Sequence, residues 1–167
     1  MRKGRFITLE GGEGTGKSTQ VRLLAESFRK AGIPVLPLRS PGGTAVAEQL
    51  RNILKTKTPG EDLLPETELL LFGACHAQMC ENAVKPAMEK GQWVVCDRFT
   101  DSTTVYQGYV RGLPLDTVER INSLACRGIE PDLTILLDID PETGMSRAVG
   151  RNGGTVDRND QIGRAHV

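Results

Sequence analysis

Residues Gly11-Gly12-Glu13-Gly14-Thr15-Gly16-Lys17-Ser18 follow the pattern G-x-x-x-x-G-K-[ST]. They stand directly after the short apolar run Phe6-Ile7-Thr8-Leu9. Directly behind them Val21, Leu24, Ala25 and Phe28 recur at i, i+3, i+4 and i+7. Strand, glycine-rich turn and amphipathic helix in this order confine the chain to a narrow set of folds. The glycines admit backbone dihedrals and close approaches that a Cβ blocks, so successive N–H groups can surround phosphate oxygens. The helix that follows adds partial positive charge at its N-terminus. Lys17 supplies a mobile cation for β- and γ-phosphates, and the Ser18 hydroxyl is a ligand for Mg²⁺. Residues 11–19, Thr19 included, are therefore the expected ATP-binding segment, with Ser18 as one metal ligand.

The rest of the chain alternates in the same manner. Ile33 to Leu38 reads as a second strand, and its two prolines call for an edge-like or irregular one. Val46, Leu50, Ile53 and Leu54 mark a helix. A long helix opens near Pro65, carrying Leu69, Phe72, Met79 and Ala83, with Pro86 expected to break its far end. Trp93 to Cys96 and Leu133 to Leu137 are unalternating apolar runs, as in parallel strands buried on both faces. Leu115, Val118, Ile121 and Ala125 place a helix between them. The reading is an α/β fold: an open parallel sheet with helices on both faces and no internal repeat or linker. After Arg147 the chain turns rich in Gly, Asn and Arg, and the last strand and helix of such a sheet are expected to be missing. Residues 1–160 read as one domain, and 161–167 as a tail foreign to it.

Charge removes other classes of function. Lys+Arg and Asp+Glu both number 21, so the basic footprint of a general nucleic-acid binder is absent. No apolar run approaches the roughly 18 residues of a membrane span, and no signal-peptide core follows Met1. A cytoplasmic location is expected. Cys75, Cys80, Cys96 and Cys126 form no C-x-x-C pair and read as buried reduced thiols, with no structural metal.

A phosphate loop alone does not select a reaction. The D-x-x-G and [NT]-K-x-D elements of a GTPase are lacking. Instead Asp97-Arg98 follow a buried strand at its carboxyl end, where open parallel sheets hold their ligands. Asp97 suits Mg²⁺ or its bound water, and Arg98 suits a phosphate.

With these residues the chain resembles the thymidylate kinase family, a group of nucleoside monophosphate kinases with a P-loop NTPase fold. The likeness includes Arg39-Ser40-Pro41-Gly42-Gly43-Thr44, Glu68-Leu69-Leu70-Leu71-Phe72, Asp97-Arg98-Phe99, Asp101-Ser102-Thr103-Thr104-Val105-Tyr106-Gln107-Gly108 and Arg111-Gly112. The resemblance implies a five-stranded parallel sheet, a homodimer, and ATP- and Mg²⁺-dependent conversion of dTMP to dTDP on the route to dTTP. It also implies residue roles: Glu13 near the dTMP sugar and phosphate, Arg39 and Arg98 on the acceptor phosphate, and Phe72 stacked on thymine. Ser102 and Thr103 would serve the base side, Gln107 would belong to the substrate-binding set, and Tyr106 would disfavour a ribose 2′-OH. The stretch from Arg147 through Gly154, within 147–158, resembles a lid whose arginines, Arg147 and Arg151, supply the transition-state cation in bacterial forms, in which the phosphate loop lacks an arginine, as at Thr15.

Two positions depart from the family's pattern. His76 stands where Arg is usual, and Ser40 where Glu is usual; His76 is expected to donate to a thymine carbonyl. Phosphoryl transfer to an ionised phosphate oxygen needs positioning and neutralisation, with no histidine base. Lys17, Glu13, Arg98, Arg147 and Arg151 are the expected catalytic set. A deoxynucleoside kinase, with Glu13 as base, and a non-catalytic nucleotide-binding remnant are the alternatives.

Overall fold

The computed structural model describes residues 4–151 of the 167-residue chain. Four strands form one parallel sheet: β1 (Phe6–Glu10), β2 (Val35–Arg39), β3 (Trp93–Asp97) and β4 (Leu133–Leu136), in the order β2-β3-β1-β4. Ile7 pairs with Val95 on one side and Leu133 on the other, which makes β1 an inner strand. β2 lies at an edge, as its prolines require: Pro37 sits opposite Val95 and has no N–H to give to a second neighbour.

Helices cover both faces. On one side α1 (Lys17–Lys30) lays Val21 and Ala25 against Ile7, Leu9, Val35 and Val95. On the other, Phe6, Val94 and Cys96 meet Met79, Cys80, Val84, Ala87 and Cys126. These come from α3 (Pro65–Met79), the π-helical segment Cys80–Val84, α4 (Lys85–Glu89) and α6 (Leu115–Cys126). α2 (Ala45–Lys55) packs beside α3 through Ala47, Leu54 and Cys75. All four cysteines are free and buried.

Three expectations are corrected. Pro86 does not end its helix. The π turn widens the coil just before it, the Lys85 N–H bonding to the Cys80 carbonyl, so the proline's ring and missing donor are accommodated and the helix runs on to Glu89. β4 is not buried on both faces: Leu133 and Leu136 are 52% and 70% exposed. Their apolar character marks a sheet position, and among the described residues no strand or helix covers them. In α2 the inward face is Ala47, Leu50 and Leu54, whereas Val46 and Ile53 point to solvent. One helix was not foreseen. α7 (Pro141–Arg151) begins behind Asp140, whose carboxylate accepts the Thr143 N–H, and it contains Gly144 and Gly150, residues that argue locally against a helix. Residues 152–158 of the expected lid and the tail 161–167 lie outside the described residues.

Candidate active site

The carboxyl ends of β1 and β3 lie side by side, with Leu9 opposite Asp97, and the two segments that leave them build the site. Beyond β1 the chain turns through Gly11 to Gly16. Gly16 caps α1 in the left-handed region, with φ 90°, and no side chain occupies the cap. The first N–H groups of α1 thus face the loop and suit an anion. Lys17 folds back over this loop: its Nζ donates to the carbonyls of Gly11 (3.0 Å) and Gly12 (2.6 Å) and to Thr15 Oγ1 (3.2 Å). Burial, with Arg98 nearby, lowers its pKa to about 8. The amine is confined and partly desolvated where an incoming phosphate can replace its carbonyl partners. Ser18 Oγ donates to Asp97 Oδ2 at the end of β3. A hydroxyl and a carboxylate facing one another are hard oxygen donors that fit Mg²⁺, whose shell is ordinarily completed by phosphate oxygens and water. Thr19 is exposed on α1.

Arg98 is the next residue after β3 and has φ 68°, a left-handed conformation that a non-glycine residue holds only when its surroundings impose it. Those surroundings are visible. The guanidinium donates to Glu13 Oε1 (2.7 Å) from the phosphate loop and to Ser102 Oγ (2.9 Å), and lies 5.3 Å from the Tyr106 ring centroid. Beneath it Glu10, 5% exposed, accepts the Phe99 N–H (2.7 Å) and the Ser102 hydroxyl (2.6 Å). Burial raises the Glu10 pKa, and those two hydrogen bonds oppose the rise. Glu10 thus ties the end of β1 to the segment after β3.

A cleft opens on this network, bordered by Phe72, Ser40, Ser102, Thr103, Tyr106 and Gln107 together with Arg98 and Glu13. Tyr106 and Gln107 lie in a π-helical segment, Thr104–Val110, that continues α5 (Thr100–Thr103); such wide turns recur at functional sites. Gln107 Nε2 donates to Glu68 Oε1 (2.7 Å), and Glu68 also pairs with Arg111 (2.9 Å). A carboxylate only accepts, so the amide nitrogen must face Glu68. The amide oxygen is left without a protein partner.

Other expected site residues lie apart from this cleft. Arg39 is half-exposed and paired with Glu48 at 2.6 Å; the same carboxylate accepts the Gly43 N–H. His76 is fully buried behind the cleft wall with Nε2 2.8 Å from Ser40 Oγ, so the structure does not place it as a direct contact from within the cleft. Arg147 is exposed on α7, and Arg151 is that helix's last residue. α7 itself reaches the loop: a Cβ on Gly14, at φ 71°, would collide with the Gly144 carbonyl. Glu10, Glu68 and Arg111 received no role from sequence reasoning. No sequence signal marked Glu10, because its burial follows from Phe99 and Ser102, which come from another segment.

A sequence model of thymidylate kinase matches residues 9–163. The chain belongs to the thymidylate kinase family. It is 45% identical over 159 residues to thymidylate kinase of Caldanaerobacter subterraneus subsp. tengcongensis, spanning 95% of this chain and 75% of that one. Thymidylate kinase of Synechococcus sp. (strain JA-2-3B'a(2-13)) is 50% identical over 147 residues, 88% of this chain and 70% of the relative. Among solved structures, the crystal structure of thymidylate kinase from Ehrlichia chaffeensis superposes with a TM-score of 0.75 at 35% identity, covering 91% of this chain and 90% of the other. Within the thymidylate kinase family the parallel sheet, phosphate loop and Asp97-Arg98 step are parts of one phosphotransferase fold. The two departures from its pattern, Ser40 and His76, touch each other.

Proposed function

We propose that the protein transfers the γ-phosphoryl group of ATP to the phosphate of dTMP, giving dTDP and ADP. Arg98 carries this reading. One guanidinium borders both the phosphate loop, through Glu13, and the cleft, through Ser102 and Tyr106. Two phosphates drawn to it are drawn to each other.

Family membership favours this over a deoxynucleoside kinase or a non-catalytic remnant. A phosphate oxygen of dTMP attacks Pγ, the bond from Pγ to the β–γ bridging oxygen breaks, and its electron pair leaves with ADP. The attacking oxygen is already ionised, so the chain's contribution is orientation and neutralisation. Lys17 moves from the loop carbonyls onto the β- and γ-phosphates, the free N–H groups of α1 hold the remaining oxygens, and Arg98 holds the acceptor. Ser18 and Asp97 would hold Mg²⁺, which supplies further neutralisation of the triphosphate. Arg147 and Arg151 are the proposed lid cations, and Arg39 is a second acceptor-phosphate contact once Glu48 releases it.

In the cleft Phe72 provides the ring for thymine, the bare Gln107 oxygen an acceptor for the N3–H, and Tyr106 the wall against a ribose hydroxyl. Ser102 and Thr103 line the base side. Exposed Leu70 on α3 and Leu124 on α6, two helices packed together, support a homodimer. The free buried thiols support a reducing, cytoplasmic setting; among the described residues no helix is long and apolar enough to cross a membrane.

The test is ADP release measured over dTMP, dUMP, dCMP, AMP, UMP and thymidine. Preference for dTMP is expected. Equal turnover of AMP would refute the base-site assignment, and thymidine as the better acceptor would make the enzyme a nucleoside kinase.

A further inference from the structure

His76 is 0% exposed and its ring lies against Phe99, with centroids 5.1 Å apart. Burial lowers its pKa to about 4, so the imidazole is neutral near pH 7 and carries one ring hydrogen. Nε2 meets Ser40 Oγ at 2.8 Å, and Nδ1 is buried with no partner. A hydrogen on Nδ1 would be an orphaned buried donor, whereas a hydrogen on Nε2 leaves only an unused lone pair, the smaller penalty. The hydrogen therefore belongs on Nε2 and is donated to Ser40.

This fixes what Ser40 can do. Its oxygen accepts from His76, and its own hydrogen is left for another acceptor. Ser40 is 6% exposed and borders the cleft with Phe72 and Gln107. Among the residues that border the cleft, Ser40 thus has an O–H left to donate, and Gln107, its amide nitrogen held by Glu68, has a buried oxygen without a protein partner. A pyrimidine with a 4-oxo group beside N3–H presents the complementary pair. A 4-amino pyrimidine reverses both.

We propose that Ser40 is a specificity-determining donor for the 4-oxo group of the pyrimidine, and that His76 is the positioning residue that makes it one. The inference rests on the assignment of the cleft to dTMP and adds a device specific to this chain: a neutral histidine–serine relay at the two positions where the resemblance would have Arg and Glu. His76 acts through Ser40 and never touches the base.

The experiment compares kcat/KM for dTMP and dCMP in the parent, Ser40→Ala, Ser40→Cys, His76→Phe and His76→Gln, alongside the ¹⁵N spectrum of His76 in the parent. Ser40→Ala is expected to lower kcat/KM for dTMP about tenfold, chiefly through KM, without lowering that for dCMP. Ser40→Cys, a weak donor of similar size, falls between. His76→Phe moves the ratio in the same direction, and His76→Gln, which returns an N–H near the position of Nε2, recovers part of it. The spectrum is expected to show Nε2 protonated. An unchanged dTMP/dCMP ratio in Ser40→Ala, or protonation at Nδ1, overturns the relay while leaving dTMP phosphorylation standing. A parent enzyme inactive on dTMP overturns the proposed function itself. The tautomer is read on the unsubstituted protein, so a variant that misfolds does not shield the idea.

Discussion

Lys17→Met should make the free protein more stable while abolishing phosphoryl transfer. Lys17 is 6% exposed, and its pKa falls from 10.5 to about 8 on folding. At about 1.4 kcal/mol per pKa unit, the fold disfavours the charged amine by about 3 kcal/mol at pH 7. Methionine keeps the length and the apolar stem and removes the charge. The hydrogen bonds lost to Gly11, Gly12 and Thr15 offset about 1 kcal/mol, because Gly12 and its neighbours remain accessible to water. The expected gain is about 2 kcal/mol, or roughly 5 °C in Tm for a chain of this size.

The pH dependence separates this cause from ordinary repacking. Between pH 8 and 10.5 the unfolded parent binds a proton at Lys17 that the folded parent has released, so parent stability rises with pH through that window. The advantage of the variant should be full below pH 8 and shrink toward pH 10.5. Urea unfolding at pH 7, 9 and 10.5, with and without Mg²⁺-ATP, reads both effects. Nucleotide should stabilise the parent and not the variant. A variant less stable than the parent at pH 7, or a gap that ignores pH, would show that Lys17 is not held at an electrostatic cost.

Other outcomes follow from the same geometry. Tyr106→Ala should raise kcat/KM for UMP relative to dTMP by about tenfold, whereas Tyr106→Phe should keep the discrimination, since the ring does the excluding; a ratio unmoved by Tyr106→Ala counts against that wall. Glu68→Ala strands Arg111 and frees the Gln107 amide to rotate, so chemical unfolding should show a loss of about 3 kcal/mol together with a raised KM for dTMP. His76, held neutral in the fold with its pKa moved from 6.5 to about 4, gives stability that is intact above pH 6.5 and is lost as pH falls toward 4, by about 3 kcal/mol. Unfolding of His76→Phe should lack that component of the acid limb.

The phosphate loop was legible because its information is local: glycine spacing, a preceding apolar strand and a following helical period sit within a few turns of chain. The edge position of β2 was equally local, written in Pro34 and Pro37. Legibility failed where a distant partner decides the outcome. Pro86 reads as a terminus until the π turn before it is seen, and the glycines of α7 conceal a helix. Leu133 to Leu136 carry the apolar composition of a covered strand without the cover among the described residues. In the site, motif resemblance named residues without their bonds. It placed Ser40 and His76 as two separate departures, and only the fold shows that one answers the other. Glu10 stayed silent because a carboxylate ending a strand looks like a solvent contact until Phe99 and Ser102 arrive from another segment.

The pattern G-x-x-x-x-G-K-[ST] treats the fourth letter as free, and in this molecule it is not. Gly14 has no space for a methyl group because the Gly144 carbonyl occupies it, and a methyl on Gly144 would in turn strike the Glu13 carbonyl, 2.6 Å away. Neither position can accept a side chain alone without pushing α7 off the nucleotide loop. The two glycines, at opposite ends of the described chain, thus share one steric constraint. Drift at Gly144, a position no nucleotide-binding motif mentions, is therefore drift in the phosphate site.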